Sequence, residues 1–444
     1  MPSAVSGPGA HRYRLSGTPL QGFALATWGF FAGFAAVALY GPVAVLFQDP
    51  MRLTGVSLGF LVAAPQITGS LFRIPFGAWV DRAGGRVPML TLLGLSLIGV
   101  WGLVFLLATT TAIDSRLYPV MLFFGLLSGC GVASFSVGIP QVSYWYPRSR
   151  QGAILGIYSG IGNLAPGLFT LLLPVAIETW GAMGSYLGWL LFLVVAASIY
   201  ALFAHDAYYF QLRAQGVGAD ESREIAARHG EGLFPKESAW PALMAAAENP
   251  RTWGLMVLYF VSFGGFLALT VWFPVFWVNS YHASMVQAGL LGGVGFSLLA
   301  AVIRVYGSAL SERLGAERVA VLAYSIVLAG ALLLTLGRSF YLSLAGEMLV
   351  ALGMGTGNAT VFRMVPRYVP EAVEGASWFV GGIGATGGFM LPPFLGAVVD
   401  ALGRRGYAGG FFAYVVLAVI ALIVSGGFRR IERRRSGPAG GQHR

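Results

Sequence analysis

Apolar residues fall in twelve stretches, at roughly 22–47, 55–80, 87–108, 118–145, 152–175, 184–204, 253–278, 285–310, 319–337, 340–364, 375–399 and 409–428, with short polar turns between most of them. Each is near the roughly 20 residues that an α-helix needs to cross the hydrocarbon core of a bilayer. The pattern predicts an all-α membrane protein with twelve transmembrane helices. The first stretch, Gly22 to Phe47, is too long for a signal-peptide core and is followed by no small-residue cleavage site, so it reads as a retained span. One long polar stretch, His205 to Arg251, contains a charge run from Asp220 to Glu237. It divides the chain into residues 1–204, a six-helix half; 205–251, a solvated linker with some helix; and 252–444, a second six-helix half with a basic tail.

The two halves repeat. Arg73-Ile-Pro-Phe-Gly-Ala-Trp-Val-Asp81-Arg82-Ala-Gly84 lies over Arg304-Val-Tyr-Gly-Ser-Ala-Leu-Ser-Glu312-Arg313-Leu-Gly315 without a gap, at an offset of 231. Pro147 and Gly152 map onto Pro370 and Gly375, and Gly160-Ile-Gly162 onto Gly382-Ile-Gly384, at offsets of 223 and 222. Parallel repeats of this kind place a transported substrate at their interface near the bilayer midplane.

Composition agrees with the pattern: 56% of the 444 residues are apolar and only 10% are charged, too little polar surface for a soluble globule. The net charge of +10 is mostly topological. The side that holds both termini carries Arg12, Arg14, Arg82, Arg86, Arg148, Arg150, Arg313, Arg318, Arg367 and the tail Arg429, Arg430, Arg433, Arg434 and Arg435, against Arg52, Arg116, Arg338, Arg404 and Arg405 on the other. The positive-inside rule puts both termini in the cytoplasm, and the charge reads as lipid-facing rather than nucleic-acid-binding. Cys130 is the only cysteine, which excludes an internal disulfide and cysteine-based metal chemistry. No metal or cofactor is expected, and no nucleophile, base and orienting group fall together as an enzyme requires.

Arg73 and Arg304 stand out against this background. Each lies eight residues before the acid of its turn, Asp81 or Glu312, which is about 12 Å along a helix. A guanidinium does not shed its proton, and in lipid it costs several kcal/mol unless an anion or water compensates it. The second, fourth, fifth, seventh, eighth and eleventh stretches offer no interior Asp or Glu. Two planar donor forks therefore suit a flat oxyanion better than lysines would.

Gly77-Ala-Trp-Val-Asp81-Arg82-Ala-Gly84-Gly85-Arg86 resembles the loop motif between helices two and three of the major facilitator superfamily. The resemblance implies a conformational switch built from Gly77, Asp81, Arg82, Gly84 and Arg86, echoed by Glu312 and Arg313. Further segments resemble the nitrate/nitrite porter family: Gly69 to Gly77, Ala133 to Pro147, Gly152 to Asn163, Gly355 to Pro366 and Gly381 to Pro392. By that resemblance Arg73 and Arg304 hold nitrate or nitrite, Phe135, Tyr259 and Phe263 frame the anion, and Asn163 carries the family's asparagine. From the residues alone, Tyr259 and Phe263, one turn apart, read first as a packing pair, and Asn163 could equally bond a neighbouring backbone.

Two more charges fall inside spans. Arg363 reads as an inner gate or a snorkelling cation, and Glu347 as a proton carrier or a structural hydrogen-bond acceptor. With two permanent cations and few groups able to titrate, reorientation without an anion is disfavoured. The expectation is therefore a monomeric nitrate/nitrite antiporter in the cytoplasmic membrane. Nitrate/proton symport and oxalate/formate-type exchange are the alternatives.

Overall fold

The computed structural model describes residues 13–235 and 240–435. Arg12 and Glu237, used above, lie outside that range, as does the side chain of Arg435. Among the described residues eleven helices are long and apolar enough to cross a membrane: Pro19–Val43, Gly55–Ala83, Arg86–Thr109, Ser115–Tyr144, Arg148–Phe203, Pro250–Tyr281, Met285–Leu314, Ala316–Leu336, Phe340–Tyr368, Pro370–Leu402 and Arg405–Arg434. The 56-residue Arg148–Phe203 holds two spans that reverse direction at Gly181, whose φ of +69° is open to glycine and strained for other residues. The spans therefore number twelve, and they are numbered here in chain order with Arg148–Phe203 as the fifth and sixth.

Their starts are written in the sequence. Thr18 caps the first span by accepting from the Gln21 N–H, with Pro19 at the first helical position; Thr54 caps the second and Ser339 the tenth. Ser284 and Gln287 close a reciprocal capping box on the eighth. These oxygens satisfy backbone donors that a helix start leaves open. The linker contributes three short helices, α1 (Tyr208–Ala214), α2 (Ala219–Arg228) and α3 (Trp240–Glu248). Helix α1 is tied to the segment before the first span, with the Tyr208 hydroxyl donating to the Gly17 carbonyl at 2.9 Å and Gln211 to that of Ser16 at 2.7 Å. Glu231 caps α1 by accepting from the Tyr208 and Tyr209 N–H groups. Helix α3 instead lies against the eleventh span, where a Cβ on Gly375 would come within 2.0 Å of the Ala242 carbonyl oxygen.

The halves meet along a seam that is much tighter on the side away from the termini. There the second and eleventh spans touch backbone to backbone: a Cβ on Gly396 would fall 1.9 Å from the Gly55 oxygen, and one on Gly59 2.5 Å from the Pro392 oxygen. The fifth and eighth meet in the same way, Gly289 against the Thr170 oxygen and Gly293 against that of Gly167. Asp400, at the end of the eleventh span, accepts from the Gly55 and Val56 N–H groups at 2.5 and 2.9 Å. A carboxylate at a helix N-terminus meets both free donors and the positive end of the dipole. On the termini side the same face of the fifth span opens out. Gly160 still meets Val305, but Gly156 and Gly152, one and two turns further on, have nothing within 4 Å.

This contact depends on the missing side chain. Gly396→Ala is expected to destabilise the sealed seam by about 1–3 kcal/mol, the usual cost of overpacking. The result is a lower Tm in detergent, whereas Gly94→Ala, with nothing within 4 Å of the new Cβ, should leave Tm unchanged or raise it.

Candidate functional site

Four departures from regular α-helix position the buried arginines and their aromatic neighbours. The second span is interrupted at Phe72, so that one helical run ends at Leu71 and the next begins on Arg73 itself. The fourth passes through a 3-10 turn, Cys130–Ala133, just before Phe135. The seventh contains a π-turn, Phe260–Gly264, that carries Phe263, and the eighth a π-turn, Leu291–Leu298, ahead of Arg304. Such turns re-aim side chains that a straight helix would leave on another face, and they recur at functional sites.

The structure brings five of the six anion-site candidates together. The Arg73 guanidinium carbon lies 4.8 Å from the Phe263 ring centre and 5.1 Å from that of Phe135, and the Arg304 carbon lies 5.8 Å from each. The two rings stack at 6.2 Å and 27°, and Tyr259 stacks on Phe263 at 4.9 Å and 16°. The Tyr259 hydroxyl faces both guanidiniums from just outside strict hydrogen-bond geometry. Arg73 is 1% exposed and Arg304 8%.

Neither arginine is satisfied by protein. Arg73 donates from Nε to the Gly69 carbonyl at 3.2 Å and from Nη1 across the seam to that of Gly381 at 3.3 Å, which leaves Nη2 buried without a partner. Nη1 of Arg304 is buried without one as well. Among the described residues no carboxylate forms an ion pair with either. Ring faces attract a cation by about 0.5–2 kcal/mol, less than burying an unpaired one costs. Two like charges that repel one another, with planar donor forks left unfilled, lie here between flat apolar walls.

Asn163 sits differently. Its amide nitrogen donates to the Ser159 carbonyl one turn back on its own helix at 2.6 Å, and its buried oxygen has no partner. Nor does Arg363 reach the seam: it pairs with Glu312 and donates to the Ser308 hydroxyl at 3.2 and 3.0 Å, tying the eighth span to the tenth within one half. Oε2 of fully buried Glu347 accepts from the Trp277 indole at 2.7 Å, and Oε1 has no partner. In the turn after the second span, Asp81 accepts from Tyr144 at 2.5 Å, and Arg86 donates from its side chain to the Ala201 carbonyl at 2.7 Å and from its backbone to Asp206 at 2.9 Å. Gly84 and Gly315 occupy equivalent places with φ of +77° and +86°. Gly77 faces Trp378 of the eleventh span, while Arg82 and Arg313 are exposed.

Three aromatic residues of the cluster escaped the sequence reading. Phe34 stacks on Phe263 at 6.4 Å, Phe30 lies 5.3 Å from Phe135, and the Tyr158 hydroxyl donates to the Phe135 carbonyl at 3.0 Å. A signal for two of them existed. Phe30 and Phe34 precede Tyr259 and Phe263 by a common offset of 229, and both pairs have ring centres 4.9 Å apart. Asn358, buried with a partnerless Oδ1, follows Phe135 by the 223 offset already seen at Pro147 and Pro370.

A profile of the Major Facilitator Superfamily matches residues 25–377 and 277–444. The chain is 31% identical over 400 residues to "Probable nitrate/nitrite transporter NarK2" of Mycobacterium tuberculosis, covering 89% of this chain and 93% of that one. The chain belongs to the nitrate/nitrite porter family of the major facilitator superfamily. Similar proteins in that family include "Nitrite extrusion protein" of Bacillus subtilis, 28% identical over 88% of this chain and 91% of its own, and "Probable nitrate/nitrite antiporter NarK1" of Thermus thermophilus, 28% identical over 90% and 89%. The major facilitator fold itself is matched by the partially occluded inward-open xylose transporter XylE from E. coli, at a TM-score of 0.68, 12% identity and coverage of 93% of this chain and 99% of that one. The human organic anion transporter MFSD10 matches at 0.65 and 16%, covering 92% and 100%.

Proposed function

We propose that this porter exchanges nitrate and nitrite across the cytoplasmic membrane by alternating access, with both termini in the cytoplasm. The observation that carries this reading is the pair of buried guanidiniums, one from each half, that share the Phe135 and Phe263 rings and keep unfilled donors. A planar anion with three oxygens fills those donors from both sides at once and supplies the charge that the protein withholds. Orientation rests on the surplus of arginines on the termini side, the side on which the fifth span opens at Gly156 and Gly152. Both arginines belong to one chain, so a monomer is sufficient, and the family is one of transporters rather than enzymes. Exchange follows from charge: parting the halves around two unpaired cations is costly, and a bound anion removes most of that cost.

Arg73→Lys and Arg304→Lys keep the charge and lose the fork. Losing one charge-assisted hydrogen bond weakens binding by about 1.5–3 kcal/mol, about ten- to a hundredfold in affinity. Nitrate counterflow in proteoliposomes should fall accordingly at equal protein content, and wild-type rates in either variant would remove that arginine from the site. Oxalate competing at far lower concentration than nitrate would instead point to a dicarboxylate substrate.

Proton-coupled uptake is a second reading, favoured by one feature, the partnerless Oε1 of buried Glu347. Its other oxygen holds Trp277 within the second half, as a structural acceptor does. Under exchange, Glu347→Gln should leave nitrate/nitrite counterflow within about twofold, since an amide oxygen still accepts from the indole. Under symport the same variant abolishes uptake driven by a pH gradient.

A further inference from the structure

Gln66 lies on the second span seven residues before Arg73, about two turns away and toward the side opposite the termini. It is completely buried, and neither its amide nitrogen nor its oxygen has a hydrogen-bond partner. A Cβ on Gly388 would lie 3.4 Å from its Cβ and 2.8 Å from that of Leu267, which sets Gln66 in the seam where the second, eleventh and seventh spans converge. The repeat supplies an internal comparison. At the offset of 231 the equivalent residue is Ser297, seven before Arg304, and its hydroxyl is satisfied within its own half by Thr270 at 2.9 Å. The fold therefore does not need an unpaired amide at this position.

A buried carboxamide with every donor and acceptor unmet disfavours the conformation that buries it. The seam closing over Gln66 is the one that must part for the opposite side to open, and once parted it leaves the amide facing the passage that leads to Arg73 and Arg304. An amide N–H donates to an oxyanion without adding charge, so it attracts the ion and lets it move on to the stronger cationic pair.

We propose that Gln66 is an outer subsite for the transported oxyanion, used when the side opposite the termini is open and shut away unpaired when that side closes. This rests on the exchange reading above for its substrate and direction, but not for its geometry.

Two arms test it. In proteoliposomes, Gln66→Leu should raise the nitrate half-saturation concentration on the side opposite the termini by about tenfold, the loss of one hydrogen bond to an anion. The value on the termini side and the maximal exchange rate should stay within about twofold. An equal rise on both sides, or none, overturns the proposal, because a purely structural role has no sidedness. In the second arm, Gln66→Cys is made in a Cys130→Ser background, so that it carries the sole thiol, and treated with a membrane-impermeant thiol reagent. Labelling should occur in intact cells, slow when nitrate is added, and fail in inverted vesicles. Absent labelling in intact cells, or labelling from the termini side, overturns it too. Wild-type nitrate exchange is the separate control for the functional reading. If that control fails, labelling slowed by formate or oxalate still supports an outer oxyanion subsite, and labelling that no oxyanion slows refutes it.

Discussion

Two guanidiniums that keep their protons at any physiological pH face the same pair of phenylalanine rings, each 5.8 Å or less from the ring centres, and no carboxylate among the described residues forms an ion pair with either. In water such a pair would be unremarked. Inside a bilayer the dielectric is low, the repulsion between them is large and the desolvation of each is larger still. Everything around the pair serves to hold that unfavourable arrangement in register. A break at Phe72 aims Arg73, π-turns in the seventh and eighth spans aim Phe263 and Arg304, and a hydrogen bond across the seam to Gly381 fixes one guanidinium against the opposite half.

The seam converts that local electrostatic demand into a property of the whole molecule. Away from the termini the halves are closed by glycine-to-backbone contacts at Gly55, Gly59, Gly289 and Gly396 and by Asp400 on a helix N-terminus. Toward the termini the face of the fifth span opens at Gly156 and Gly152, while Gly382 of the eleventh still meets Ile74 of the second. Closure of this kind is all-or-none, since backbones either touch or are parted by water, and that suits two discrete states better than a graded one. Of the motif residues, Gly77 faces Trp378 across the seam. Asp81 and Arg86 brace the first half, Glu312 and Arg363 the second, so each half is stiffened as a unit that can move against the other.

Much of this could be read in the chain. Spans are legible because hydrocarbon thickness sets their length, and Arg73 and Arg304 because a charge in an apolar stretch demands a reason. Phe30 and Phe34 were missed because an aromatic pair one turn apart in an apolar span looks like ordinary packing; only their offset from Tyr259 and Phe263 sets them apart. The partner of Arg363, Glu312, was not legible because it is 51 residues away in sequence, a distance local patterns do not cover. The interruption at Phe72 and the π-turns leave no sequence signature, since long-range packing selects them. Gln66 is unremarkable as a letter, and only its burial without partners gives it meaning.

The most direct test of the central claim is counterflow in proteoliposomes, with labelled nitrate outside and nitrite, or no anion, inside, with and without a pH gradient. If two uncompensated arginines make the anion obligatory for reorientation, uptake requires internal nitrite and is indifferent to the gradient. Brisk nitrate uptake into anion-free vesicles, driven by the pH gradient alone, would contradict the account.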